Sequence, residues 1–466
     1  MRMFARLAVA GFIVFVVLQG VRPSIPSKPA TEEPTVPAEV EGILAKDCFS
    51  CHSDQRRLSW FDQIVPAYWL VRHDILTARG HLNFSTLGSK SPAIQKATLY
   101  EAVNMIQLGA MPLPAFVKLH PEAKVSPEEL ATLKAYLAPW TPASSYPGNA
   151  LGNGGVAPGG ALVVVPHEPL ASISLTNVQP EFNGFSFDPN FENWKLISTT
   201  DRGDNNTFRF ILGNDIAIKA AQSGNILPWP DGTRFAKIAW QQQLGPDGLV
   251  HPAKFVQVEL MLKDAHRYKN TEGWGWGRWR GLDLKPYGED AGFVNECTAC
   301  HRPVGGNDYV YSLPITTARV RGDEIVNNRA AALPADLPFP AIDWSAITMY
   351  VDPKSHTTAT LYGNDAATQY LRMRRAAPVD GLKGPAYPAG AVLALVTWAQ
   401  RDDPHWFGGR IPDAVLSVEF VQVAAAGQAN IYRRFTGEAL IEDRSEADAA
   451  AQRTSFVLGL IPARMP

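Results

Sequence analysis

Two stretches of this 466-residue chain lie over one another without a gap at a shift of 150: WKLISTTDRGDNNTFRFILGND (194–215) and WSAITMYVDPKSHTTATLYGND (344–365). Trp194 meets Trp344, Ile197 meets Ile347, and Gly213-Asn214-Asp215 meets Gly363-Asn364-Asp365. Further on, WPDGTRFAKIAWQQQ meets YPAGAVLALVTWAQR, so that Trp240 meets Trp398, and KFVQVEL resembles LSVEFVQV. Matches in the same order over this length read as one structural unit used twice. The runs TFRFILGND, TRFAKIAW, KFVQVELMLKDA and GWGWGRWRG are short, β-leaning and broken by turn residues. The expected unit is therefore an antiparallel, β-sheet-rich domain, present as two tandem copies over 167–320 and 321–466.

All four cysteines fall in two copies of C-x-x-C-H, CFSCH at Cys48 and CTACH at Cys297. This is the attachment motif for c-type haem. The two thiols form thioethers with the haem vinyl groups, and the adjacent histidine lands under the iron. Cys48, Cys51, Cys297 and Cys300 are thus expected to bind two covalent haems, with His52 and His301 as iron ligands. A four-cysteine zinc site or two disulfides would use the same cysteines, but neither explains a histidine after both pairs. The second copy of the β-rich unit has no cysteine. It also has Ala359 where the first has Arg209, and Leu395 where the first has Lys237. That pattern is expected if Arg209 and Lys237 serve the haem; ordinary surface charges lost by drift would leave the same trace.

The rest of the chain is consistent with export. Arg2 and Arg6 flank an apolar run from Leu7 to Leu18, the length of a secretion-signal core and short for a membrane span. Residues 1–21 read as a cleaved signal peptide or a retained N-terminal anchor. Either puts the remainder outside the cytoplasm, in the periplasm, where c-type haem is attached, free or tethered to the inner membrane. Residues 22–39 read as a Pro-rich tether. Residues 40–140 read as a small helical haem domain, in which Ser126, Pro127 and two acids open a helix. Residues 141–166 read as a Gly/Pro-rich linker. The fold class is α+β multidomain: a helical cytochrome, then two β-rich domains, the second without haem and packed on the first. A formal net charge of −2 gives no reason to expect a nucleic-acid partner.

WPDGTRFAK followed by ECTACH resembles cytochrome P-460 and its relative cytochrome c′-beta, over about 180–315. The resemblance implies an antiparallel β-sheet around one c-type haem, with an open distal side. In the cytochrome P-460 branch a lysine is also bonded to the porphyrin rim, and the matching residue is Lys237. A pocket arginine matches Arg209. The first branch oxidises hydroxylamine, whereas the second binds nitric oxide and similar ligands. Active members also carry a pocket carboxylate; Glu289, Asp290 and Glu296 lie just upstream of Cys297. DCFSCHSDQ, HLNFS and GAMPLP resemble a small haem-binding domain found after N-terminal anchors, over about 40–140.

These readings fix what each haem can do. Met111 is the expected distal ligand of the first haem, with His73 and His81 as rivals. A fully ligated iron carries electrons and has no open position. No distal ligand stands out for the second, so it can bind hydroxylamine, nitric oxide or peroxide. Arg209 would be a fixed cation, and Lys237, if crosslinked, would alter the macrocycle. Proton removal from a nitrogen substrate needs a carboxylate near the iron. Trp274, Trp276 and Trp279 alternate at strand spacing and read first as packing, second as stacking beside the haem. The leading expectation is an oxidoreductase acting on a small nitrogen-containing substrate and passing electrons to a periplasmic acceptor. The alternatives are a nitric-oxide-binding protein and a dihaem electron carrier without substrate.

Overall fold

The computed structural model describes residues 2–27, 32–55, 58–137, 175–320, 325–374, 386–444 and 449–466. Contacts divide the chain into residues 1–139 and 140–466. The stretch expected as a linker, 141–166, lies outside the described residues.

The first unit is helical. Helix α1 (Arg2–Leu18) leaves its apolar side chains from Phe12 to Val17 exposed. Among the described residues no helix is long and apolar enough to cross a membrane. The chain that follows α1 is built into the fold. Gln19 pairs with Val65 in both directions, Nε2 donating to its carbonyl and Oε1 accepting from its amide, each at 3.0 Å. Residues 22–27, part of the expected tether, then lie along helix α4 (Ala67–His81). Tyr68 Oη donates to the Pro23 carbonyl at 2.5 Å, Arg72 Nε to that of Ser24 at 3.1 Å, and Arg79 to that of Pro26. Ile25 is 6% exposed and packs with Val65, Tyr68 and Ile75, against which Cys51 also lies.

The haem motif begins at Cys48, the break between α2 (Ala38–Asp47) and α3 (Phe49–His52), where φ is −121°, and continues along α3. Phe49 of α3 packs on Phe84 of α5 (Phe84–Leu87), ring centres 5.3 Å apart. Helix α6 (Pro92–Gln107) stops before Gly109, which has φ +71°. A short α7 (Pro114–Val117) follows. Helix α8 (Pro127–Leu137) opens on a reciprocal cap: Ser126 Oγ accepts from Glu129 N at 3.1 Å, and Glu129 Oε2 accepts from Ser126 N at 2.8 Å. Each satisfies an amide that the first helical turn leaves unpaired.

Among the described residues, the strands of the second unit form a single antiparallel sheet of twelve. Strands β1 (Lys195–Arg202), β2 (Thr207–Gly213), β3 (Arg234–Leu244) and β4 (Val250–Lys263) pair in order, and β5 (Trp274–Arg280) and β6 (Lys285–Pro286) extend from β4. Strands β7 (Ser345–Asp352), β8 (Thr357–Gly363), β9 (Val392–Asp403) and β10 (Trp406–Gln422) do the same, with β11 (Ile431–Thr436) and β12 (Ile441–Asp443) extending from β10. Val250 of β4 pairs with Val351 of β7, while Asp201 and Arg202 of β1 pair with Arg410 and Gly409 of β10. These two contacts close an eight-stranded barrel with no free edge around the ring.

The local geometry repeats at the shift read from the sequence. Lys195 faces Gly213 as Ser345 faces Gly363, and a bulge falls between Leu196 and Ser198 as between Ala346 and Thr348. Asn214 caps α9 (Asp215–Ser223): its Oδ1 accepts from Ala217 N and Arg234 N, and its Nδ2 donates to the Gly232 carbonyl. Asn364 makes the matching bonds to Ala367, Val392 and Gly390 at the start of α11 (Asp365–Arg374). A Gly-Asn-Asp turn is thus a strand end, a helix cap and a cross-link to the next strand together.

The two strand sets, expected as two domains with the second packed on the first, share one interior. Phe208, Phe210, Trp240 and Trp279 of the first set meet Val351, Tyr362, Trp398 and Phe420 of the second. Because side chains alternate, each set also has an outer face. That of the first buries Ile197, Phe235, Trp274 and Trp276 against Phe293 and Cys297 of α10 (Val294–His301). That of the second buries Ile347, Leu361, Leu393 and Leu395 against Val457 of α12 (Ala450–Gly459).

Candidate functional site

Helix α10 carries Cys297, Cys300 and His301, and lies on the outer face of the first strand set. His301 Nδ1–H donates to the Tyr309 carbonyl at 2.7 Å. Burial pushes the imidazole down to about 4, so it is neutral near pH 7. With Nδ1 committed as donor, the Nε2 lone pair is free for a metal. The acceptor is held by unusual backbone: Asp308 and Tyr309 have φ +46° and +65°, a left-handed region that costs non-glycine residues energy. Buried bonds fix that turn. Lys263 Nζ lies 2.7 Å from Asp308 Oδ1, Trp229 N donates to Asp308 Oδ2 at 2.9 Å, and Trp274 Nε1 donates to the Asp308 carbonyl at 3.0 Å.

The three tryptophans of β5 divide between faces. Trp279 points into the barrel, where its Nε1 donates to the Gln179 carbonyl at 2.9 Å. Trp276 faces outward, its ring centre 4.5 Å from that of His301. Gly277 between them is required by close approach, since a Cβ there would sit 2.6 Å from the Trp279 ring.

Beside α10 runs a row of charges, one from each of four neighbouring strands. Registers Ile211↔Lys237, Lys237↔Glu259 and Glu259↔Arg278 put Lys237, Glu259 and Arg278 on one face, and Arg209, two residues before Ile211, on the same face. Lys237 Nζ lies 2.5 Å from Glu259 Oε2, and Arg278 Nε lies 3.2 Å from Glu259 Oε1. Gln257 Nε2 also donates to Glu259. Burial opposes the charge on Glu259, but Lys237, Arg278 and Arg209 outweigh it and hold the carboxyl near 2. Burial, helped by Arg209 and Arg278, brings Lys237 down to about 8 against the pull of Glu259. Burial and the nearby Arg202 bring Arg209 to about 10. All stay charged at pH 7.

The carboxylate in this row is none of the three that lie just upstream of Cys297. Glu289 and Asp290 are exposed, and Asp290 caps Gly292 N at 2.7 Å. Glu296 is exposed and accepts from Tyr287 Oη at 3.0 Å. The repeat keeps this residue and so does not single it out: Val258-Glu259-Leu260 recurs as Val418-Glu419-Phe420. Glu419 faces Leu395 as Glu259 faces Lys237. In the second set the cation comes instead from α12, Arg453 reaching Glu419 at 2.6 and 2.9 Å.

The first haem motif shows the same histidine arrangement. His52 Nδ1–H donates to the Leu82 carbonyl at 3.0 Å, and burial lowers its affinity for a proton. His73 and His81 are exposed, His81 directly preceding Leu82, whereas Met111 is half-buried. The Met111 amide donates to the Met105 carbonyl at 3.1 Å, turning the chain at the end of α6.

Both sites suit a haem. Cys48, Cys51, Cys297 and Cys300 are not in disulfides, and burial pushes Cys48 and Cys297 up to about 12. Among the described residues no group of three or more His, Cys, Asp or Glu could hold a metal ion. Buried donors lack partners at each: Arg79 Nε and Nη2 in the first unit, Arg209 Nε and Trp276 Nε1 in the second. Such atoms are costly unless a further group accepts from them, and haem propionates or a ligand on the iron would.

A helical haem-binding region followed by a β-barrel-rich region is the class of protein these features define. Residues 8–139 match the family of a haem-binding domain, and residues 189–312 match the cytochrome P460 family. The chain is a haem protein with a cytochrome P460 domain preceded by a haem-binding domain. The cytochrome P460 match ends before β7. No curated protein matches the chain.

Proposed function

We propose that the protein is an exported dihaem c-type cytochrome that oxidises hydroxylamine or a similar small nitrogen species at the second haem and passes the electrons through the first. The row Arg209–Lys237–Glu259–Arg278 beside His301 carries this reading. Haem at Cys297 and Cys300 would supply the iron that takes up the electrons. Arg209 stays protonated and is suited to hold and polarise an N–O group. Glu259 is the carboxylate in place for proton removal, but clamped between two cations it is a weak base. Bonding of Lys237 to the porphyrin rim would remove one of those cations and raise the basicity of Glu259. The crosslink and the base are thus coupled in this site. In the second strand set Leu395 and Ala359 replace the cations and α12 covers the face, which supports reading it as a haem-less repeat.

Lys237 is also satisfied where it stands, 2.5 Å from Glu259. That observation favours a second reading, a nitric-oxide-binding protein without the crosslink. The reduced absorption spectrum of the protein beside that of Lys237→Ala decides between them. A strongly red-shifted reduced band that the variant loses is expected. Ordinary c-type bands in both proteins would move the assignment to ligand binding.

We also propose that α1 stays on the mature chain and holds it at the inner membrane, facing the periplasm. The bonds of Gln19 to Val65 and of Pro23, Ser24 and Pro26 to α4 support this, since cleavage just past the apolar helix would strip Gln19 from Val65 or Ile25 from the packing beside Cys51. Intact mass of the protein from membranes should include residues 1–27. A soluble mature chain starting beyond Ile25 would sink the idea.

A further inference from the structure

We infer that the cysteine-free strand set acts on the second haem from its proximal side, with His405, Trp406 and Tyr311 as positioning residues for His301. The inference rests on the reading that haem is attached at Cys297 and Cys300 with His301 as iron ligand, and it gives the second strand set a role there.

Pairing of β10 with β1 brings the β9–β10 turn to the side of the barrel where α10 lies. Tyr311, just past the haem motif, joins the two. Its Oη donates to the Cys300 carbonyl at 2.6 Å, which ties it to the last turn of α10. Its ring meets His301 edge-on, centres 5.1 Å apart at 77°. From the other side, His405 Nδ1–H donates to the Tyr311 carbonyl at 2.7 Å, and the Trp406 ring meets the Tyr311 ring at 5.5 Å and 74°.

Trp406 is itself held fast. The Arg202 guanidinium lies 4.2 Å over its ring, and its Nε1 donates to Asp204 Oδ2 at 3.2 Å. Arg202 and Asp204 pair with each other, Nε to Oδ1 at 2.6 Å. His405 is set by its own amide, which donates to Asp403 Oδ1 at 2.9 Å. The imidazole of His301 therefore has three supports: Trp276, the Tyr309 carbonyl and Tyr311. The first two come from the same strand set as the haem motif. The third is fixed by the other set. The tilt and reach of a proximal histidine set the strength of its bond to iron, a lever on haem chemistry that acts without touching substrate.

The test uses the full-length holoprotein. Covalent haem is counted first, and a chain without haem at Cys297 and Cys300 overturns both this inference and the attachment reading. On the haem-loaded protein, the iron–histidine stretch of the ferrous state is read by resonance Raman, with the midpoint potential alongside. His405→Ala and Trp406→Leu are expected to lower the stretching frequency and raise the potential. His405→Asn, which keeps a donor near the Nδ1 position, is expected to restore both. Glu419→Gln, which loosens α12 on the far outer face, should lower the melting temperature and leave both haem readouts in place. If His405→Ala matches the wild type, or if Glu419→Gln moves the haem signals as far, the proximal role is wrong while the attachment reading stands.

Discussion

Trp398→Ala is expected to destabilise the whole second unit by about 3–5 kcal/mol, the usual cost of emptying a large aromatic site in a closed core. Trp398 is fully buried in the barrel interior, and its Nε1 donates to the Ala331 carbonyl at 2.9 Å. Truncation leaves a cavity and strands that carbonyl without its partner, adding about 1–3 kcal/mol where water cannot enter. The residue belongs to the strand set without cysteines. Yet its ring lies in the same interior as Phe208, Phe210 and Trp240 of the first set. The loss should therefore appear as one cooperative transition that takes the haem site with it, followed by circular dichroism and by haem absorbance in the same melt. Two separate transitions, with only the later strands lost early, would mean that the sets fold independently. Trp240→Ala, whose Nε1 reaches the Arg464 carbonyl, should behave alike.

Much of this architecture is legible in the chain because it is local. The Gly-Asn-Asp turns, the Ser126–Glu129 cap and the two C-x-x-C-H motifs each place their chemistry within a few residues. Their hydrogen bonds follow from that spacing. The shift of 150 between repeats survives as matched registers and matched bulges. What escapes sequence reading is non-local. The barrel is closed by very few residue pairs, Val250 with Val351 on one side, and Asp201 and Arg202 with Arg410 and Gly409 on the other. Val250 and Val351 read as ordinary strand valines. Two domains stacked face to face would have the same alternation of apolar residues as one ring with a shared interior, so pattern alone cannot separate them.

The site divides in the same way. Lys237 and Arg209 stand out because the second strand set lacks them. Glu259 does not, because its counterpart Glu419 is retained, and a difference between copies cannot reveal what both keep. Only the register of β3 with β4 brings Glu259 to Lys237. Tyr311 and Trp406 are further removed from any motif, since their contact depends on the barrel being closed. Residues 22–27 read as part of a tether from their prolines. Their carbonyls, however, are taken up by Tyr68, Arg72 and Arg79, three donors spaced along one helix.

Substituting Cys297 and Cys300 together by alanine is expected to leave one covalent haem on the chain instead of two, read as haem against protein concentration in the denatured protein. The remaining haem should be the one at Cys48 and Cys51, because its histidine, His52, is held by Leu82 of the first unit. The barrel should survive, since Cys297 packs in the outer shell with Ile197, Phe235, Trp276 and Phe293 and not in the interior. Far-ultraviolet dichroism should therefore change little. Near-ultraviolet bands from Trp274 and Trp276 should weaken as that shell loosens, because a group bound only by the folded state stabilises it. Loss of the red-shifted reduced band together with this haem would assign the band to the second site. A band that persists would place it on the first haem and remove Lys237 from its cause. Collapse of the whole barrel in the variant would make the haem part of the scaffold, and the shared interior would then be insufficient to hold the sheet.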